Sequence, residues 1–91
     1  MFKISLTVQF NKDLKIANKI VLNLDSLFEV VNKLANDEQL PPSNHNHMLH
    51  GTYKGYWECH ISPDWLLIYE KDIEIRIISL YRTGTHSDLF R

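Results

Sequence analysis

Tyr53-Lys54-Gly55-Tyr56-Trp57-Glu58-Cys59-His60-Ile61-Ser62, Trp65-Leu66-Leu67-Ile68-Tyr69 and Ile73-Glu74-Ile75-Arg76-Ile77-Ile78-Ser79-Leu80-Tyr81 are three strand-like runs that decide the fold. In the first, Tyr53, Gly55, Trp57, Cys59 and Ile61 alternate with Lys54, Tyr56, Glu58, His60 and Ser62, so a period of two separates an apolar face from a chemically capable one. Ser62-Pro63-Asp64 supplies a turn, Trp65 to Tyr69 reads as a short buried strand, and Lys71-Asp72 turns the chain again before the last strand. Three strands joined by turns this short imply an antiparallel meander.

Upstream, Met1 to Val8 alternates with Phe2, Ile4, Leu6 and Val8 on one side, which predicts an opening strand. The period then lengthens. Phe10, Leu14, Ala17 and Val21 share one face of a helix over Phe10 to Ile20, and Leu24, Leu27, Phe28, Val31, Leu34 and Ala35 form the apolar stripe of a second helix. Ser26 and Glu29 have the spacing of a capping box at its start. The short link between the helices predicts a hairpin, and Pro41-Pro42 ends the helical region. The order β-α-α-β-β-β predicts an α+β domain over residues 1–91, a twisted antiparallel sheet with the N-terminal helical hairpin packed on one face.

Composition narrows the function classes. At 91 residues, 44% hydrophobic and 23% charged, the chain has the make-up of a single globular domain rather than of a disordered or fibrous one. Its longest apolar runs fall far short of the ~20 residues that span a bilayer, and the N-terminus carries no basic-then-apolar leader, so a cytoplasmic protein without a membrane partner is expected. Cys59, the single cysteine, excludes an internal disulfide and a cysteine-rich zinc cluster, and its alternation places it in the core. A formal charge of −1 gives no bulk argument for nucleic acid. Locally, however, Lys12, Lys15 and Lys19 fall on one side of the first helix, a stripe able to follow a phosphate backbone or meet an acidic partner, and equally the pattern of an ordinary solvated face.

Five histidines are grouped rather than scattered: His45, His47 and His50 in one loop, His60 on the polar face of a strand, and His86 in the C-terminal tail. The antiparallel meander brings the end of the last strand near Asp64 and His60, and imidazole, with an unperturbed pKa near ~6.5, suits acid–base chemistry at neutrality. A metal site built from His45, His47 and His50 competes with this reading. The irregular loop and the opposite faces of Cys59 and His60 argue against it, so neither metal nor cofactor is expected.

Three segments carry a resemblance: His47-Met48-Leu49-His50-Gly51, Lys54-Gly55-Tyr56-Trp57-Glu58-Cys59-His60-Ile61-Ser62-Pro63-Asp64-Trp65-Leu66-Leu67-Ile68-Tyr69, and Arg82-Thr83-Gly84-Thr85-His86-Ser87-Asp88-Leu89-Phe90. Together they resemble YafQ-type toxins of the RelE/ParE superfamily, and Phe10 to Lys15 resembles the start of that family's first helix. The resemblance implies an mRNA interferase that cuts the message in the A site of the 70S ribosome and is held inactive by a DinJ- or RelB-like, DNA-binding antitoxin. It implies catalytic roles for His47, His60, Asp64 and His86, with His86 as general acid. It further implies substrate contacts from Arg82 as phosphate stabiliser, Phe90 as a base-stacking platform, Lys54 and Glu58; His45 and His50 match no site position. Metal-free RNA cleavage needs a base for the 2′-OH, an acid for the departing 5′-oxygen and a cation at the phosphorane, and these residue types supply all three. Two other readings remain, a ParE-like toxin that acts by binding a protein such as gyrase, and a non-catalytic RNA- or zinc-binding module.

Overall fold

The computed structural model describes residues 1–19 and 23–90, with the side chain of Lys19 excepted. The elements are β1 (Lys3–Leu6), α1 (Val8–Lys19), α2 (Leu24–Ala35), β2 (His47–Met48), β3 (Trp57–Ser62), β4 (Trp65–Asp72), β5 (Ile77–Gly84) and α3 (His86–Leu89), with single 3-10 turns at Pro42–Asn44 and Gly51–Tyr53. The predicted ends of the first helix at Ile20 and Val21 lie outside the described residues.

The sheet runs β1-β5-β4-β3-β2, and its β3-β4-β5 centre is the antiparallel meander that the turns require. It is not antiparallel throughout. β1 pairs with β5 in parallel, Lys3 opposite Ile77 and Leu6 opposite Leu80, which makes the sheet mixed. Alternation reports which face a residue takes and is silent about the direction of its neighbour, so this pairing was not readable from residues 1–8. Thr7 shows how the chain leaves the edge strand: its hydroxyl donates to the Tyr81 carbonyl at 2.9 Å while Oγ1 accepts the Phe10 N–H at 3.0 Å, so the start of α1 is fixed against β5.

Both long helices pack on one face. Phe10 and Ala17 of α1 and Leu27, Val30 and Leu34 of α2 share a buried cluster with Cys59, Trp65, Leu67, Tyr69, Ile78 and Leu80 of the sheet. Several local expectations need correction: β3 starts at Trp57, with Tyr53 in a 3-10 turn on the face opposite Cys59, and Val8 opens α1 instead of closing the first strand. The second helix begins at Leu24, because the Asn23 side chain accepts the backbone N–H groups of Asp25 and Ser26, and the Ser26/Glu29 pair lies inside the helix rather than capping it. Val30 is buried where Phe28 was expected, and Phe28 is 52% exposed. The β4–β5 turn comes at residues 73–76, because Asp72 Oδ1 accepts from the N–H groups of Glu74 and Ile75 and Arg76 takes a left-handed φ of 55°; Ile73 and Ile75, which read as strand, are exposed at its tip.

The opposite sheet face carries a smaller cluster, Leu66, Ile68 and Leu89, flanked by Leu49, Tyr53, Tyr56, Tyr81 and Phe90. A register shift, Ile68 opposite Arg82 but Tyr69 opposite Leu80, leaves Tyr81 as the extra residue of a bulge and brings its ring into this cluster. The tail is not irregular. Thr85 and Asp88 form a reciprocal capping box that starts α3, and buried Leu89 pins that short helix to the sheet.

Candidate active site

Strand register places the candidate residues before any side chain is considered. His47, Glu58, Ile68 and Arg82 are directly opposed across β2, β3, β4 and β5, and the next row runs His60, Leu66, Gly84. With strands ~4.8 Å apart, the second row carries the chain from His60 to Gly84 in roughly 10 Å, and α3 begins two residues later with His86.

Glu58 is the centre of the arrangement. Its side chain is only 8% exposed, and Oε1 lies 3.4 Å from His47 Nε2 and 3.8 Å from His60 Nε2, so one buried carboxylate faces two imidazoles. Among the described residues these rings are its ion-pair partners, and they serve as such only when Nε2 carries a proton, since a carboxylate can only accept. The other nitrogen of His47 is also committed: Nδ1 lies 2.6 Å from the His45 carbonyl, an acceptor, so Nδ1 carries the proton. The His60 backbone is held from the same loop, where Asn44 Nδ2 donates to the His60 carbonyl at 2.7 Å.

The second half of the site is the tail. His86, exposed at the first position of α3, packs its ring 4.9 Å from that of Phe90, and Phe90 meets the edge of Tyr53 at 5.6 Å. Tyr53 also contacts Tyr56 and Tyr81, so a run of aromatic rings continues from the histidine face. Flat rings in this setting suit unstacked bases.

The remaining expected residues are placed less simply. Asp64 sits exposed in the β3–β4 turn, and among the described residues its side chain makes no hydrogen bond or ion pair. Lys54 is exposed just after the 3-10 turn that carries Tyr53. Arg82 is held structurally: Nε and Nη2 donate to Asp13 of α1 at 2.9 and 3.2 Å, and these bonds raise the guanidinium pKa further. Asp13, 6% exposed, also accepts the Thr83 N–H at 3.1 Å. Lys12 and Lys15 are exposed on α1. Cys59 is fully buried on the helix side of the sheet, where burial and then the nearby Glu58 charge push its thiol up to about 12.

Sequence reasoning did not single out Asn44 or Asn46 and set His45 aside; in the structure Asn44 holds the His60 carbonyl, the His45 carbonyl meets His47 Nδ1, and Asn46 accepts from Tyr69. Glu58, expected at the substrate, has its carboxylate between two imidazoles. The available signal was the density of Asn and His in residues 44–47. Among the described residues no group of three or more His, Cys, Asp or Glu side chains is arranged to hold a metal ion, and no helix is long and apolar enough to cross a membrane.

A family model for the bacterial toxin of type II toxin–antitoxin systems, YafQ, matches residues 2–91. The chain belongs to the YafQ family. It is 37% identical over 83 residues to the mRNA interferase toxin YafQ of Escherichia coli K12, covering 90% of this chain and 88% of that one. The crystal structure of the E. coli DinJ–YafQ complex matches with a TM-score of 0.91 at 35% identity and full coverage of both chains. A metal-bound toxin from Helicobacter pylori matches with a TM-score of 0.93 at 40% identity, covering 99% of this chain and all of that one. The α+β architecture, mixed sheet included, is therefore that of YafQ structures.

Proposed function

We propose that this YafQ-family protein is an endoribonuclease that cleaves mRNA in the A site of the 70S ribosome and stops translation. The observation that carries the reading is the convergence of His47, His60 and buried Glu58 on one sheet face, two strands from the segment that presents His86 and Phe90. A toxin that works by blocking a protein has no need of several titratable groups on one surface, and the likeness to a relative named as an mRNA interferase supports the same conclusion.

The chemistry follows from the residues. His47 Nε2 or His60 Nε2 takes the proton of the 2′-OH, Glu58 beside those nitrogens stabilises the imidazolium that results, and Asp64 offers a second, exposed carboxylate as proton acceptor. The 2′-oxygen attacks the adjacent phosphorus, and the P–O5′ bond breaks as His86 gives a proton to the leaving 5′-oxygen, yielding a 2′,3′-cyclic phosphate and a 5′-OH. Charge developing on the phosphorane is met by Arg82, whose Nη1 is not engaged by Asp13, and Lys54 supplies a further exposed cation. Phe90 stacks a base and holds the scissile phosphate near His86.

Inhibition falls to an antitoxin of the DinJ type, as in the E. coli complex. The exposed α1 residues Lys12 and Lys15, with Lys19 continuing the stripe by its sequence spacing, form the surface that an acidic, amphipathic antitoxin segment covers and that free toxin turns to ribosomal RNA. Induction of the protein in a bacterium should arrest amino-acid incorporation within minutes, and co-expression of the antitoxin should relieve the arrest. Cells that keep translating while accumulating soluble wild-type protein would contradict the proposal.

A further inference from the structure

We propose that His45 is a positioning residue that sets both candidate catalytic imidazoles, His47 through its backbone and His60 through its ring. The proposal rests on the reading that these two histidines hold the reacting atoms. His45 has φ 46° and ψ 48°, the left-handed conformation, which is uncommon for a residue with a side chain. That conformation has a use here. The carbonyl of His45 accepts the Nδ1 proton of His47, two residues on, at 2.6 Å, and Nε2 is left beside Glu58 as the nitrogen free to exchange a proton. The ring of the same residue meets His60 edge-on, with centroids 5.2 Å apart at 65°.

The neighbours of His45 hold it in place on both sides. Asn44 donates to the His60 carbonyl at 2.7 Å, the His45 N–H donates to the Pro42 carbonyl at 3.0 Å, and Asn46 Oδ1 accepts the Tyr69 hydroxyl at 2.7 Å. Tyr69 is a buried residue of the central strand β4, so the loop is tied to the middle of the sheet. Without such ties an exposed loop would not keep one imidazole in one tautomer; with them, residues 44–46 act as a brace between the core and the reacting face. His50, in the same loop and equally attractive by residue type, has no comparable contact among the described residues.

Two substitutions separate the roles of backbone and ring. His45→Asn keeps a residue that tolerates the left-handed conformation but removes the ring, whereas His45→Val, β-branched, disfavours that conformation and turns the carbonyl away from His47. Both should remain folded by thermal melt, since the position is exposed. Imidazole ¹⁵N shifts of His47 should report the Nδ1–H tautomer in wild type and in His45→Asn, and a mixture in His45→Val. The cleavage rate at saturating ribosomes should fall by about 10- to 100-fold in His45→Val, with little change in the concentration giving half-maximal rate, and much less in His45→Asn. Unchanged His47 shifts in folded His45→Val would overturn the positioning role. Should His47→Ala and His60→Ala both cut like wild type, the reading of the catalytic pair fails instead, and the tautomer measurement keeps the two failures distinct.

Discussion

Replacing Arg82 by alanine should cost this domain much of its stability, a consequence to be separated from any effect on RNA cleavage. The Asp13 side chain is 5% exposed and takes two hydrogen bonds from the guanidinium, a third from Thr83 N–H and a fourth from Gln9 at 3.2 Å. Truncating Arg82 removes the only full positive charge among these donors and leaves a carboxylate inside the protein. Breaking a buried pair from one side costs roughly 3–5 kcal/mol, against a total of about 5–14 kcal/mol for a domain of this length. The melting temperature should fall by on the order of 20 °C, at ~4–8 °C per kcal/mol. Asp13→Leu should cost less, because the Arg82 side chain is 23% exposed and can recover water. The double variant Asp13→Leu/Arg82→Ala should be more stable than the sum of the single losses predicts, with a coupling of about 2 kcal/mol or more. Thermal and urea melts followed by circular dichroism measure all three. A drop of less than ~5 °C for Arg82→Ala, with additive single variants, would refute the argument that Arg82 neutralises a buried charge.

Cleavage by the purified toxin should be unchanged by EDTA, since each proton-transfer role has a side chain; loss of activity restored by zinc or copper would overturn the metal-free mechanism. Native Cys59 should resist iodoacetamide at pH 8 and react promptly in urea, as burial lifts its thiol to about 12. Because the thiol ionises in the unfolded chain near ~8.5, its contribution to stability is complete below that pH and fades above it by up to roughly 1.4 kcal/mol per pH unit, so alkaline melts should improve in Cys59→Ala relative to wild type as pH rises from 8 to 11. Reversing Lys12, Lys15 and Lys19 to Glu should weaken binding to antitoxin and to ribosomes without lowering the melting temperature by more than a few degrees; unchanged binding to both would identify the stripe as an ordinary solvated face.

The meander and the helical pair were legible because each rests on a local period. In β3 the placement of Cys59 on the helix face and of Glu58 and His60 on the other follows directly from alternation, and the structure keeps it. What the periods could not carry was choice among neighbours. Phe28 and Val30 both fit a stripe with Leu27 and Leu34, and packing against the sheet selected Val30. Ile73, Ile75 and Ile77 alternate like a strand, but the Asp72 carboxylate captures two N–H groups and ends β4 at that point. The site divided the same way. Residue types single out the histidines as candidates, while the partner of Arg82, the placement of Glu58 between two rings and the contacts of Asn44 and Asn46 depend on segments far apart in sequence. Nothing local marks Asp13 as the partner of a residue 69 positions away.

The central claim, that the histidine face cuts mRNA on the ribosome, is tested most directly by mapping 5′ ends on a message held in programmed 70S ribosomes after addition of wild-type protein or His86→Ala. The account predicts cuts within the A-site codon that leave a 5′-OH and a 2′,3′-cyclic phosphate with wild type. It predicts at least a 100-fold slower reaction with His86→Ala, consistent with loss of a general acid, while that variant still binds the ribosome. Cutting by His86→Ala at the wild-type rate, or cleavage that ignores the position of the A site, would contradict it.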